Sequence, residues 1–209
     1  AVVMRNGALT IKEFNVRVNK AAEGTEAYSG APLYNYNFGT NDGFYTKNSG
    51  NLVGIGTMVG SASAYNDADK SMVLSVANEN DSRANYLKLP SDTFQGITEG
   101  FSIGMWVKTT GSTSIFEAES DWVILKIDSA KVPSDQWSYV MYTINKESIA
   151  LYVDGEQVAY KEEDLSYLFA NKDFDEMDVR VGAGQGTVYI DDLTIYGTAL
   201  TASEAKSLV

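Results

Sequence analysis

Apolar residues in this chain recur at every second position through one short segment after another, with turn-forming residues between the segments. Phe101, Ile103, Met105 and Val107 fall on one face of a strand-like run, and Ser102, Gly104, Trp106 and Lys108 on the other. Ile149–Val153 and Glu156–Tyr160 read as two strands separated by Asp154-Gly155. That dipeptide predicts a two-residue hairpin, because a type I′ turn needs positive φ at both central residues. Strands are predicted at 33–38, 51–59, 72–77, 85–89, 101–109, 122–127, 136–144, 148–153, 156–160, 178–182 and 187–196. In the last, Val188 and Ile190 are out of step with Leu193 and Ile195, which a β-bulge at Asp191-Asp192 would repair. Helix is confined to one turn near Asp164–Phe169 and a short C-terminal turn, where Thr201-Ala202-Ser203-Glu204 forms a capping box. Many short strands without βαβ alternation predict an all-β protein, a two-sheet antiparallel β-sandwich.

Residues 1–31 read as a separate stretch, an N-terminal strand and linker, with 32–209 as the sandwich. The strand around 9–18 carries Phe14, Val16 and Val18 in period two. It is either a remnant of a preceding module or an extra strand added to the sandwich. The second is favoured, because those side chains would otherwise lie exposed.

Composition narrows the function classes. The 209 residues are 44% hydrophobic, too apolar for disorder and long enough for a substantial core. Formal net charge is −12, which argues against nucleic acid, since phosphate binding rests on clustered Lys and Arg. Cysteine and histidine are absent, so disulfides, thiol catalysis, thiolate metal sites and histidine acid–base chemistry are excluded. Any metal must be an oxygen-liganded cation such as Ca²⁺. No apolar run has the roughly 20 residues that a membrane helix needs, so no membrane insertion is expected.

Four segments carry a family likeness. They are Asn85–Pro90, Gly100–Lys108 with its tryptophan, Asp135–Val140 with another, and the hairpin and closing strand already described. In that order they resemble laminin-G-like, concanavalin A-like jelly-roll domains of the lectin/glucanase superfamily. The resemblance implies a jelly roll that serves as a carbohydrate-binding module, a lectin or an adhesion module. It also implies a structural Ca²⁺ held in part by an aspartate of the last strand, which Asp191 matches. Where the family often has Phe-Asp and an Asp before Ser-Gly, this chain has Phe38-Gly39 and Asn48.

Glu117, Glu119 and Asp121 alternate and so project from one face of an extended strand. Alternating carboxylates on one strand resemble the nucleophile and acid/base residues of laminarinase-type retaining glycoside hydrolases, whose carboxyls stand about 5–5.5 Å apart. The order Glu, Glu, Asp and the flanking residues depart from that family's strand, and a solvated edge or loop is the favoured reading. Trp122 beside it is a candidate for stacking on sugar C–H groups, with ordinary packing as the alternative. Trp106 faces away from the main core, toward the concave sheet. Trp137, in step with Tyr139 and Met141, reads as core, and the acidic stretch Asn66–Asp69 as a solvated turn. The expected function is a non-catalytic, lectin-like module of a secreted or cell-surface bacterial protein. Its contacts would be Trp122, Glu117, Glu119, Asp121 and Trp106, with Asp191 and Asn48 at a cation. Expected partners are a glycan or polysaccharide and a host or cell-surface protein, for a module that is monomeric within a longer chain. Protein adhesion or a spacer role, and glycoside hydrolysis by Glu117, Glu119 and Asp121, are the alternatives.

Overall fold

The structure is a computed structural model. It describes residues 2–5, 8–11, 30–40, 45–46, 49–50, 52, 54–60, 64–66, 68–69, 71–75, 85–110, 114–120, 124–170, 176–182 and 186–209. Two antiparallel sheets form the sandwich. One is six-stranded, in the order β11–β10–β15–β8–β5–β4. Its strands are β4 (Tyr45–Thr46), β5 (Gly56–Val59), β8 (Tyr86–Lys88), β10 (Ser114–Glu119), β11 (Ile124–Asp128) and β15 (Asp178–Val181). The other is eight-stranded, in the order β14–β13–β12–β9–β16–β7–β6 with β3 also paired to β16. It comprises β3 (Tyr34–Tyr36), β6 (Ala64–Asn66), β7 (Ser71–Ser75), β9 (Gly100–Thr110), β12 (Ser138–Asn145), β13 (Ser148–Val153), β14 (Glu156–Glu162) and β16 (Thr187–Tyr196). Two short helices, α1 (Ser166–Ala170) and α2 (Ala202–Ser207), and a 3-10 turn at Ser129–Lys131 lie among the connections.

Near the N-terminus, β1 (Val2–Arg5) and β2 (Ala8–Ile11) pair with each other in a sheet of their own. Phe14, Val16 and Val18 lie outside the described residues.

The core between the sheets follows the alternation. Phe101, Ile103, Met105 and Val107 of β9 are fully buried and meet Leu87, Phe116, Ala118, Val179 and Val181 from the opposing sheet. Phe94 joins the layers, its ring 4.6 Å from Phe101 and 6.3 Å from Phe116. Each buried aliphatic or aromatic side chain contributes about 1.5–3 kcal/mol by leaving water. The Asp154-Gly155 turn has φ of 52° and 79°, both positive, as a type I′ hairpin requires.

A second cluster lies on the outer face of the eight-stranded sheet. Tyr139, Met141, Ala150, Tyr152 and Tyr196 are roofed there by Leu200 and Ala205, the latter from α2. Thr201 caps that helix with a complete capping box. The sheet is therefore apolar on both faces at this end, which is why Tyr139 and Met141 read as main core.

The stretch 114–119 needs a correction. An edge or loop fits its charges, yet β10 is a central strand, paired with β11 and with β15. Glu117 is tolerated there because Lys126 and Arg180 stand directly opposite it on the two neighbours.

Candidate functional site

The open part of the eight-stranded sheet's outer face carries a groove of about 360 Å³ lined by Asp69, Trp106, Trp137 and Asp191. Register explains how these side chains converge. Across β9, Trp106 is directly opposite Asp191 of β16 on one side and Tyr139 of β12 on the other. Side chains so placed have Cβ atoms about 4.5–5.5 Å apart. Trp106 meets the Tyr139 ring edge-on at 5.5 Å. Trp137, two residues before Tyr139, comes out on the same face, against Tyr189 of β16 at 6.4 Å.

The β16 bulge sets the position of Asp191. Pairing with β9 runs Asp191↔Trp106 and then Thr194↔Gly104, one extra residue on β16, as the phase break predicts. Asp192 takes a positive φ of 48°, and its N–H donates to Asp191 Oδ1 at 2.9 Å. Val188 and Ile190 before the bulge, and Leu193 and Ile195 after it, all reach the core. Asp191 is left on the outer face, only 5% exposed, in the groove wall.

Lys108 holds the other wall together. Its Nζ lies 3.2 Å from Asp69 Oδ2, 4.2 Å from the Tyr189 ring centre and 5.3 Å from that of Trp137. Asn66 Nδ2 donates to the same Asp69 oxygen at 3.1 Å, which ties the carboxylate to the end of β6. An ammonium between two aromatic faces and a carboxylate combines cation–π attraction with an ion pair.

Beneath the groove, Tyr139 is fixed by a close approach at Gly104. A Cβ at that position would stand 2.4 Å from Tyr139 Oη and 2.7 Å from Met141 Cε. Burial drives the Tyr139 hydroxyl far above its ordinary pKa, with nearby Tyr196 adding to the rise and a hydrogen bond with Thr194 opposing it.

The residues singled out from sequence do not converge on one site. Trp106 and Asp191 share the groove. Glu117 and Glu119 lie on the other sheet, on its outward face, since Phe116 and Ala118 between and before them fill the core. Glu117 pairs with Lys126 at 3.2 Å, and Glu119 Oε2 is 3.9 Å from Arg180 Nη1. Arg180 also pairs with Asp178, and its guanidinium lies 5.4 Å above the Tyr86 ring. Asp121, Trp122 and Asn48 lie outside the described residues.

Two groove residues were assigned elsewhere by sequence. Alternation along its strand reads Trp137 as core, and the polar stretch around Asp69 reads as a solvated turn. The face shared by Trp137 and Trp106 was a usable signal once β9 and β12 are taken as neighbours. Asp69 left no sequence signal.

A calcium ion needs about six to eight oxygens. Among the described residues no three acidic groups gather as a metal site, and Asp191 Oδ1 already accepts a backbone N–H. By acidic side chains alone the described residues make no such site, and Asn48, the other expected ligand, lies outside them. Among them, too, no helix is long and apolar enough to cross a membrane.

Residues 114–206 match a laminin G family model described as the Concanavalin A-like lectin/glucanases superfamily. No curated protein matches the chain. Among solved structures, the chain is similar to the binding domain of botulinum neurotoxin DC in complex with SialylT, at TM-score 0.64 and 10% identity, over 85% of this chain and 50% of that one. The same domain in complex with rat synaptotagmin II matches at TM-score 0.64 and 10% identity, over 85% and 51%. A structure titled for the dependence of botulinum neurotoxin type C cell entry on two ganglioside molecules matches at 0.62 and 11%, over 85% and 50%. The chain spans about half the length of these structures, and at such identity the likeness is one of fold. The fold is thus a two-sheet antiparallel β-sandwich of the jelly-roll kind, and its residues 114–206 are similar to the laminin G branch of the concanavalin A-like lectin/glucanase superfamily.

Proposed function

We propose that this chain is a non-catalytic carbohydrate-binding module of a secreted or cell-surface bacterial protein, and that the groove on the eight-stranded sheet holds the glycan. The observation that carries the reading is the convergence of two indoles and two carboxylates in one open groove, delivered by four separate parts of the chain. Indole faces stack on the C–H faces of sugar rings, and carboxylates accept hydroxyl hydrogen bonds. A concave, mostly apolar wall with a few placed polar groups is the usual form of a small-ligand site. The fold neighbours named for SialylT and ganglioside complexes are consistent with a sandwich used for glycan capture.

A non-catalytic role is favoured because Glu117 and Glu119 each face a cation on a neighbouring strand, which suits a structural ladder. One observation favours a protein partner instead: β14 is an edge strand exposed at all seven positions, free to accept an added strand.

A glycan array run with and without chelator tests the reading. Selective hits that Trp137→Ala and Trp106→Ala each weaken at least tenfold, about 1.4 kcal/mol, are expected. A silent array from folded protein moves the reading to protein adhesion. Loss of hits with chelator would place a cation in the site or its support.

A further inference from the structure

We infer that the edge of β14 receives an extended, lysine- or arginine-bearing segment of another protein, added as a further strand to the eight-stranded sheet. This site is separate from the groove and does not rest on the glycan reading. β14 stands last in the strand order of its sheet, so among the described residues no strand pairs with its outer row of N–H and C=O groups. All seven of its residues are exposed. Two of them are large and apolar, Val158 at 38% and Tyr160 at 54% exposure.

Register shows which part of the edge can pair. Against β13, Ala159 is opposite Leu151 and Gln157 opposite Tyr152, so Val158 is an extra residue that bulges the strand. On the hairpin side of the bulge, Glu156 is tied to Lys206 of α2 at 2.7 Å. On the other side, residues 159–162 pair with β13 without a break. Tyr160 lies opposite Ala150 of the outer-face cluster, and Glu162 follows on that same face.

Charge then selects the occupant. Glu162, Glu163 and Asp164 are exposed where β14 ends, beside Glu147, whose carbonyl accepts the Glu163 N–H at 2.9 Å. Lys161 is taken up by Glu163 at 2.6 Å, whereas among the described residues no cation pairs with Glu147 or Glu162. A second copy would bring the same carboxylates and its own net charge of −12, and is repelled. A foreign strand with an apolar residue opposite Tyr160 and a lysine or arginine opposite Glu162 gains both cross-strand pairs, while its backbone supplies the ladder.

The test is fluorescence anisotropy of the intact chain with a labelled synthetic peptide, Lys-Thr-Lys-Thr-Val-Thr-Val. One control peptide carries glutamate in place of both lysines, and another carries proline in place of the central threonine. The basic peptide is expected to bind about tenfold more tightly than either control. Its advantage over the glutamate peptide should shrink severalfold as salt screens the exposed edge. Glu162→Lys, at an exposed position, should reverse the order of the basic and glutamate peptides and leave Tm and glycan-array hits unchanged. Equal binding of the proline peptide overturns the added strand. Equal binding of the glutamate peptide, or no effect of Glu162→Lys, overturns the charge selection, and absence of saturable binding overturns both. A dimer in sedimentation velocity that the peptide dissociates gives the edge to a second copy and overturns the inference as well.

Discussion

At the scale of single residues, the groove depends on side chains that do not touch a ligand. Gly104 is one. Tyr139 Oη lies where a Cβ would need to be, at 2.4 Å, with Thr194 Oγ1 at 3.1 Å on the same side. Gly104→Ala must therefore displace Tyr139, which stands edge-on to Trp106. Overpacking of this kind costs about 1–3 kcal/mol. A lowered Tm together with an altered tryptophan fluorescence spectrum is the expected outcome, and an unchanged spectrum would mean the ring has another way to move. Lys108 is a second such residue. Lys108→Met keeps the alkyl stem over Tyr189 and removes the ion pair to Asp69. A partly exposed pair of this type contributes about 0.2–1 kcal/mol. The stability loss should be small, and the larger effect should be a Trp137 emission that becomes insensitive to salt.

At the scale of elements, α2 links the chain's end to the floor of the groove. Ala205 packs onto the cluster of Tyr139, Met141 and Tyr196, and Lys206 reaches Glu156 on β14 at 2.7 Å. Ser102 secures the approach, its hydroxyl donating to Thr198 O at 2.9 Å and accepting from Leu200 N at 2.8 Å. The helix has only six residues, so its cap matters more than propensity. Thr201→Ala removes the acceptor for Glu204 N–H and should cost about 1 kcal/mol, read as a drop in Tm. The Glu156 carboxyl is held below its ordinary value of 4.5 by the hydrogen bond and charge of Lys206. A lowered native pKa means that this contribution is complete above pH 4.5 and disappears as pH falls through the native value. Glu156→Gln should flatten the acid limb of the stability curve by a small amount, since the pair is exposed.

At the scale of the whole molecule, phenols are buried on both faces of the eight-stranded sheet. Tyr142 is pushed up to about 12 by burial, and Tyr34, Tyr36, Tyr139 and Tyr152 are shifted upward by burial as well. Each is protonated and neutral in the fold. A raised native pKa stabilises fully below the unfolded value of 10.0 and loses that contribution as pH climbs through the native value. Unfolding above pH 10 should therefore be cooperative, with tyrosinate absorbance appearing in step with loss of the β signal. Tyrosinate formation well before unfolding would mean that the sandwich breathes enough to admit hydroxide. Core truncation tests the same layer from inside. Ile103→Ala, at a fully buried site on β9, should cost about 2–5 kcal/mol without selectively affecting the groove.

How far the sequence reaches can be judged strand by strand. Alternation alone assigned Phe101 to Val107 to the core and Trp106 to the opposite face. Asp154-Gly155 determined a type I′ hairpin, the Thr201–Glu204 pattern a capped helix, and the phase break at Asp191 a bulge that turns a carboxylate outward. All of these are local, because a strand's two faces and a turn's φ values are properties of consecutive residues. Three matters waited for the tertiary structure. Trp137 lies in the groove because, among the described residues, α2 covers one end of the sheet's outer face and leaves the groove end open. Asp69 joins the groove from a turn over thirty residues away from Lys108 in sequence, through an ion pair that no pattern encodes. Glu117 sits in a central strand because Lys126 and Arg180 arrive on either side of it. Which strands become neighbours is settled by burying the whole core at once, and a site assembled across strands inherits that long-range decision.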